Sequence, residues 1–159
     1  MKITNLTDLI KLHEGFSSTP YKCSAGKWTI GYGHNIEANP IPGKSLECLH
    51  KHGLTDAEAE ELLIKDIGAV MDEIKANQKL STIAALSLNT PARRAVLYDM
   101  AFNMGVPTLL TFKKMLSAIL AQDWDDAALE MMHSKWYRQV GSRGLRLVKM
   151  METGEWPTE

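Results

Sequence analysis

Residues 20–36, PYKCSAGKWTIGYGHNI, constrain the fold of this chain more than any other stretch. Tyr21, Trp28, Thr29, Ile30 and Tyr32 favour extended backbone, and Pro20, Gly26, Gly31 and Gly33 punctuate them at turn spacing. The composition predicts a small twisted hairpin or a three-stranded sheet. The rest of the chain is patterned for helices and loops. The fold class that follows is α+β, mainly α.

Residues 5–14 predict a short helix, because Leu6, Leu9, Ile10 and His13 recur at helical spacing before Gly15 breaks the pattern. Residues 38–54 are loop-like, with Pro40, Pro42, Gly43 and Gly53. Thr55 then opens a long helix. Thr55 and Glu58 have capping-box spacing, acids crowd the first turns, and Leu62, Leu63, Ile67, Val70 and Ile74 form an apolar stripe. Thr90 and Pro91 open a helix that runs to Met104 and stops at Gly105. Further helices are expected near 108–121, 123–132, 134–140 and 142–152, with Asp123 and Ser142 as caps and Gly154 as a stop. The expected organisation is one domain over 1–159. A small β lobe (14–54) is joined by a connecting helix (55–77) to a helical lobe (1–13 and 78–159). Sites tend to lie in clefts between such lobes.

Composition narrows the function class. The chain has 159 residues, 45% of them hydrophobic and 23% charged, which suits one globular domain. A formal net charge of −1 gives no general attraction to nucleic acid. Two cysteines, Cys23 and Cys48, make no disulfide framework and no zinc-ligand spacing, so neither metal nor cofactor is expected. The N-terminal stretch MKITNLTDLIKLHEGF lacks the apolar run of a signal peptide, and accumulation in a cytoplasm is the expectation.

The chemistry centres on Glu14. A glutamate at a helix end, facing a glycine-jointed hairpin, can act as a general acid. Cleavage of a glycosidic bond needs such an acid on the leaving oxygen, and usually a second carboxylate. Here the chain resists, because no Asp or Glu occurs between Glu14 and Glu37.

The ordered pattern EG…PYK…AG.WTIGYGH over 14–34 resembles the phage-type lysozymes, the endolysins of tailed phages. The similarity continues through LTDAEAEELLIKDI, RRAVLYDMAFNMG and DWDDAALEMMHSKWYRQVGSRGLRLV, and so covers nearly the whole chain. The resemblance implies a lysozyme-like fold and cleavage of the bond between N-acetylmuramic acid and N-acetylglucosamine in bacterial peptidoglycan. It implies that Glu14 is the general acid and that Thr29 helps hold the attacking water. By the same resemblance Asn35, Phe102 and Arg143 line the cleft or support the acid, and His34 pairs with Asp66. Cys23 stands where many members carry a second catalytic aspartate. It further implies a protein held in the host cytoplasm until a membrane pore releases it to the periplasm, acting as a monomer.

Three roles are open to Cys23. A thiol with an ordinary pKa near 8.5 is mostly neutral and cannot replace a carboxylate opposite a cationic transition state. It can orient the water that Thr29 holds, act as a thiolate nucleophile or anion, or stand by at the cleft edge. We favour the first, since no activating base is evident. His34 is expected to be a structural partner of Asp66 rather than a proton shuttle. Arg143 either supports Glu14 or a sugar, or is a solvated surface charge. Tyr21, Trp28 and Tyr32 are expected to pack, with stacking of one of them on a sugar face as the alternative. The segment 135–149 carries Lys135, Arg138, Arg143, Arg146 and Lys149 without acids. It either binds an outer-membrane or anionic wall surface or is the ordinary amphipathic side of closing helices; packing is the expected reading. Three other activities compete with hydrolysis: a lytic transglycosylase, a cysteine amidase or peptidase using Cys23 with His34, and a non-catalytic wall-binding module.

Overall fold

The glycine-punctuated stretch folds, in the computed structural model, into a three-stranded antiparallel sheet of order β1-β2-β3. The structure describes residues 2–158. Strand β1 is Ser17–Lys22, β2 is Trp28–Gly31 and β3 is His34–Asn35. Pairing of β1 with β2 is irregular between Ser17 and Tyr21. Pro20 lies in that irregular segment, where its missing N–H removes no regular ladder bond. The chain divides into two compact units, Ile10–Ala69 and Met1–Leu9 with Val70–Glu159.

In the unit Ile10–Ala69 the sheet packs over a small core of Ile30, Ile36, Leu49 and Leu54, flanked by Trp28, Ile41, Leu46 and Leu62. Helix α1, Leu6–Glu14, enters this unit at Ile10. Helix α2, Leu46–His52, lies inside the stretch expected to be loop. Ser45 caps it by accepting from the Cys48 N–H, and Leu49 anchors it in the core. Seven residues between glycine and proline punctuation carry too little periodicity to mark a helix. Helix α3, Asp56–Ala76, begins with the expected capping box. The Glu58 N–H donates to Thr55 Oγ1 at 3.1 Å, and the Thr55 N–H donates to Glu58 Oε1 at 3.0 Å.

The unit Met1–Leu9 with Val70–Glu159 is helical. Its elements after α3 are α4 (Gln78–Leu86), α5 (Pro91–Met104), α6 (Val106–Leu109), α7 (Lys113–Leu120), α8 (Trp124–Met132), α9 (Lys135–Val140) and α10 (Ser142–Thr153). Helix α5 is the centre of the core, with Ala92, Ala95, Val96, Leu97, Met100 and Ala101 buried. Thr90 caps it as expected. The single helix expected at 108–121 is instead two, broken by the turn before Lys113. Ser142 is the first residue of α10 and not its cap, a position held by Gly141. Arg93 closes the other end of α10, donating to the carbonyls of Met151 and Glu152 at 2.8 Å each, with its guanidinium 4.0 Å above the Trp124 ring. The apolar side of the basic segment is core, since Trp136, Leu147 and Val148 are buried while Lys135, Arg138 and Lys149 are exposed. Among the described residues no helix is long and apolar enough to cross a membrane.

Candidate active site

Register brings the chemistry of the sheet into one line. Thr29 pairs with Tyr21 on one side and with Asn35 on the other. Directly opposed residues share a face, so Tyr21, Thr29 and Asn35 form a row across the sheet. Ile30 pairs with His34 one residue along, which turns those two to the opposite face.

Glu14 ends α1 and is half-buried. Its carboxyl lies against the Gly33 backbone: a Cβ built on Gly33 would overlap Oε1, with Cδ at 2.9 Å and Cγ at 3.1 Å. The Tyr21 hydroxyl lies in the field of both Glu14 and Cys23. Its pKa is raised, first by burial and then by those two charges. By register Tyr21 stands in the row with Thr29 and Asn35, where sequence reasoning expects it to pack or to stack on a sugar. Trp28 and Tyr32 do pack: Trp28 meets the His50 ring edge-on at 5.1 Å, and Tyr32 lies 5.4 Å from Phe16.

The Thr29 side chain is buried, and its Oγ1 donates to the Lys27 carbonyl at 2.9 Å. With its one proton committed there, the hydroxyl is left as an acceptor. Cys23 begins the loop that joins β1 to β2, its N–H donating to the Lys27 carbonyl at 3.0 Å. The thiol pKa is lowered. Backbone bonding from Lys27 is the largest influence, burial opposes it, and the Ala25 backbone, the Thr29 hydroxyl and the Cys23 backbone add to the lowering. Thr29 and Cys23 are neighbours, and the single Thr29 hydroxyl proton serves either the Lys27 carbonyl or the Cys23 thiolate at one time. Asn35 Oδ1 accepts from the Ala38 N–H at 3.0 Å and shapes the turn after β3. Glu37, the first acid after Glu14, accepts from the Trp28 N–H at 2.6 Å.

His34 is buried between two acceptors. Nδ1 lies 2.7 Å from Asp66 Oδ2, and Nε2 lies 2.7 Å from the Asn39 carbonyl. A neutral imidazole carries one N–H and can satisfy only one of them, so the geometry asks for the imidazolium. Burial, the largest influence, pulls the His34 pKa down; the bonds to Asp66 and Asn39 and the Asp66 charge outweigh it, and the net shift is upward. A pKa raised on folding stabilises the protein fully below the unfolded value near 6.5, and that stabilisation is lost as pH rises through the folded value. Hydrogen bonds to charged groups contribute about 1.5–3 kcal/mol. Asp66→Asn is therefore expected to cost about that much at pH 5.5, with the gap to wild type narrowing toward pH 9. Urea unfolding at the two pH values measures it. An NMR titration that places His34 at or below a model peptide would contradict the pairing.

Arg143 and Phe102 belong to the helical unit. Arg143 is buried, and its Nε donates to Asp99 Oδ1 at 2.9 Å. The alternative of a solvated surface charge is therefore excluded. Asp99 is fully buried on α5, and sequence reasoning did not mark it, although an aspartate inside RRAVLYDMAFNMG interrupts the helix at the centre of the core. Phe102 is half-buried on the same helix, beside Asn103, whose Oδ1 accepts from Trp136 Nε1 at 2.7 Å. Among the described residues no group of His, Cys, Asp or Glu converges as metal ligands.

The sequence profile of the phage lysozyme family matches residues 11–152. Probable T4-type lysozyme 1 of Dictyostelium discoideum is 33% identical over 96% of this chain and 96% of its own length. An endolysin of Acyrthosiphon pisum secondary endosymbiont phage 1 is 28% identical over 80% of this chain and 74% of its own. The pre-baseplate central spike protein Gp5 of Enterobacteria phage T4 is 29% identical over 94% of this chain, which spans 28% of that protein.

Proposed function

The chain belongs to the phage lysozyme family and is a cell-wall hydrolase of the lysozyme type, acting on peptidoglycan, and from that premise we propose a mechanism for its own residues. Glu14 protonates the oxygen that leaves when the bond from N-acetylmuramic acid to N-acetylglucosamine breaks. A water held by Thr29 and Cys23 attacks the sugar carbon from the opposite face. The observation that carries this reading is the row of Tyr21, Thr29 and Asn35 with Cys23 at its edge and Glu14 within its field. The hairpin supplies no second carboxylate, and Glu37 is engaged on the Trp28 backbone.

With its own proton on the Lys27 carbonyl, Thr29 accepts a hydrogen bond from the water. A lone pair of the water is then free to attack. Cys23 accepts a hydrogen bond from the second water hydrogen, and its lowered pKa raises the share of thiolate, the stronger acceptor. The water's surplus proton passes to solvent as its oxygen bonds to carbon, and Glu14 regains its proton from solvent. Direct attack by water inverts the anomeric carbon. Phe102 and Asn35 each contact the glycan, and Arg143, oriented by Asp99, contacts a sugar. The biological setting proposed is lysis of a bacterial host at the end of a phage cycle, after release from the cytoplasm through a membrane pore. The relative named as an endolysin supports that setting.

Mass spectrometry of digested, purified peptidoglycan tests the reaction. Hydrolysis gives reducing sugars one water heavier than the anhydro products of a transglycosylase. Free amines without reducing ends would identify an amidase, and binding without products a wall-binding module. In the same assay Cys23→Asp is expected to remain active, and Cys23→Ala to lose about tenfold, the worth of one hydrogen bond to the water. Full activity of Cys23→Ala would assign the thiol to the role of bystander.

A further inference from the structure

The Gly33 position is glycine for a reason beyond its backbone angle. Its φ of +72° lies in the left-handed region, which several turn glycines of this chain share. A Cβ added at Gly15, Gly26 or Gly43 would meet nothing within 4 Å. At Gly33 it would land on the Glu14 carboxyl, on Oε1 and within 2.9 Å of Cδ. The carboxyl therefore occupies the volume that any other residue at 33 would fill.

We infer that Gly33 is a positioning residue: its bare backbone is the wall against which the Glu14 carboxyl is set for proton transfer. The inference rests on the reading of Glu14 as the acid. The wall is stiff, because the next residue is anchored three ways. His34 pairs with Ile30 across β2 and β3, and its ring is held by Asp66 and by the Asn39 carbonyl. A side chain at 33 is thus accommodated by movement of Glu14 and not by retreat of the turn. Misplacement of a reacting group by about 1 Å costs on the order of 100-fold in rate. The substrate binds through other surfaces, so the loss falls on kcat and leaves KM within about threefold, since uniform binding is untouched.

The experiment compares Gly33→Ala with Gly43→Ala, which carries the same left-handed strain, at φ +75°, in open space. Both are expected to lower Tm. Only Gly33→Ala is expected to lower kcat, by about 100-fold on purified peptidoglycan. A second cycle reads the contact from stability alone. In a Glu14→Ala background the clash partner is gone, and the Tm penalty of Gly33→Ala should shrink to that of Gly43→Ala. Equal kcat for Gly33→Ala and Gly43→Ala overturns the inference, as does a Tm penalty at 33 that Glu14→Ala leaves unchanged. Activity retained by Glu14→Gln would instead remove the reading of the acid, while the stability cycle still reports on the contact.

Discussion

Glu14→Gln is expected to lower kcat by about 10³-fold or more, with KM nearly unchanged, because proton transfer by a positioned acid contributes on the order of 10²–10⁴-fold. The amide has the size of the carboxyl and fits the same wall at Gly33. It cannot give a proton to the departing oxygen, so the sugar alcohol would have to leave as an alkoxide. The hairpin has no spare acid to take over: its sequence holds no Asp or Glu between Glu14 and Glu37, and Glu37 is bound to the Trp28 backbone. The substitution also leaves the small core alone, since Ile30, Ile36, Leu49 and Leu54 lie in a cluster that does not include Glu14. Tm is therefore expected to stay close to wild type while lysis of permeabilised cells and release of reducing ends both stop. Cys23→Ala, by contrast, retains the acid and loses one contact to water. A large gap between the two variants separates a general acid from a helper. Full activity of Glu14→Gln on purified cell walls would end the reading of Glu14 as the acid.

The elements most legible in the sequence are those whose ends carry their own chemistry. Thr55 with Glu58, Thr90 with Pro91, and Asp123 are local signals, and each forms the bond its spacing implies. The sheet was legible because strand formers were crowded between glycines. Helix α2 was not, because its stability comes from Leu49 reaching the small core, a tertiary contact that periodicity over seven residues does not display. The break before Lys113 was hidden for a similar reason: Thr111 and Phe112 do not forbid helix, yet the Thr111 hydroxyl turns back to the Thr108 carbonyl at 2.6 Å. In the candidate site, Glu14, Cys23 and Thr29 were singled out by the resemblance that one short stretch bears to the phage-type lysozymes. Tyr21 and Gly33 lie in that same stretch, but their importance depends on register and on a close approach in space. Asp99 could have been found as a charge inside an apolar helix. Its partner, however, is 44 residues away, and nothing in the sequence joins the two.

Asp99 carries the largest stability effect expected from a single side chain. Its carboxylate is fully buried and accepts from Arg143 Nε at 2.9 Å, and the Arg143 side chain is itself only 9% exposed. Asp99→Ala leaves a guanidinium in the interior without this counter-charge, a change that typically costs about 3–5 kcal/mol. Against a total stability of about 5–15 kcal/mol that is a large share. For a chain of this size it corresponds to a fall in Tm of about 6–20 °C. Asp99→Asn keeps an acceptor oxygen in place and is expected to fall between wild type and Asp99→Ala. The double variant Asp99→Leu with Arg143→Met removes both charges and refills the space. It is expected to be more stable than Asp99→Ala, because it removes both buried charges together rather than one of them. On the role proposed for Arg143 at the glycan, that double variant also loses activity. Thermal unfolding of the four proteins tests the energetic claim, and a loss below about 1 kcal/mol for Asp99→Ala, the scale of an exposed pair, would show that the ion pair is solvated.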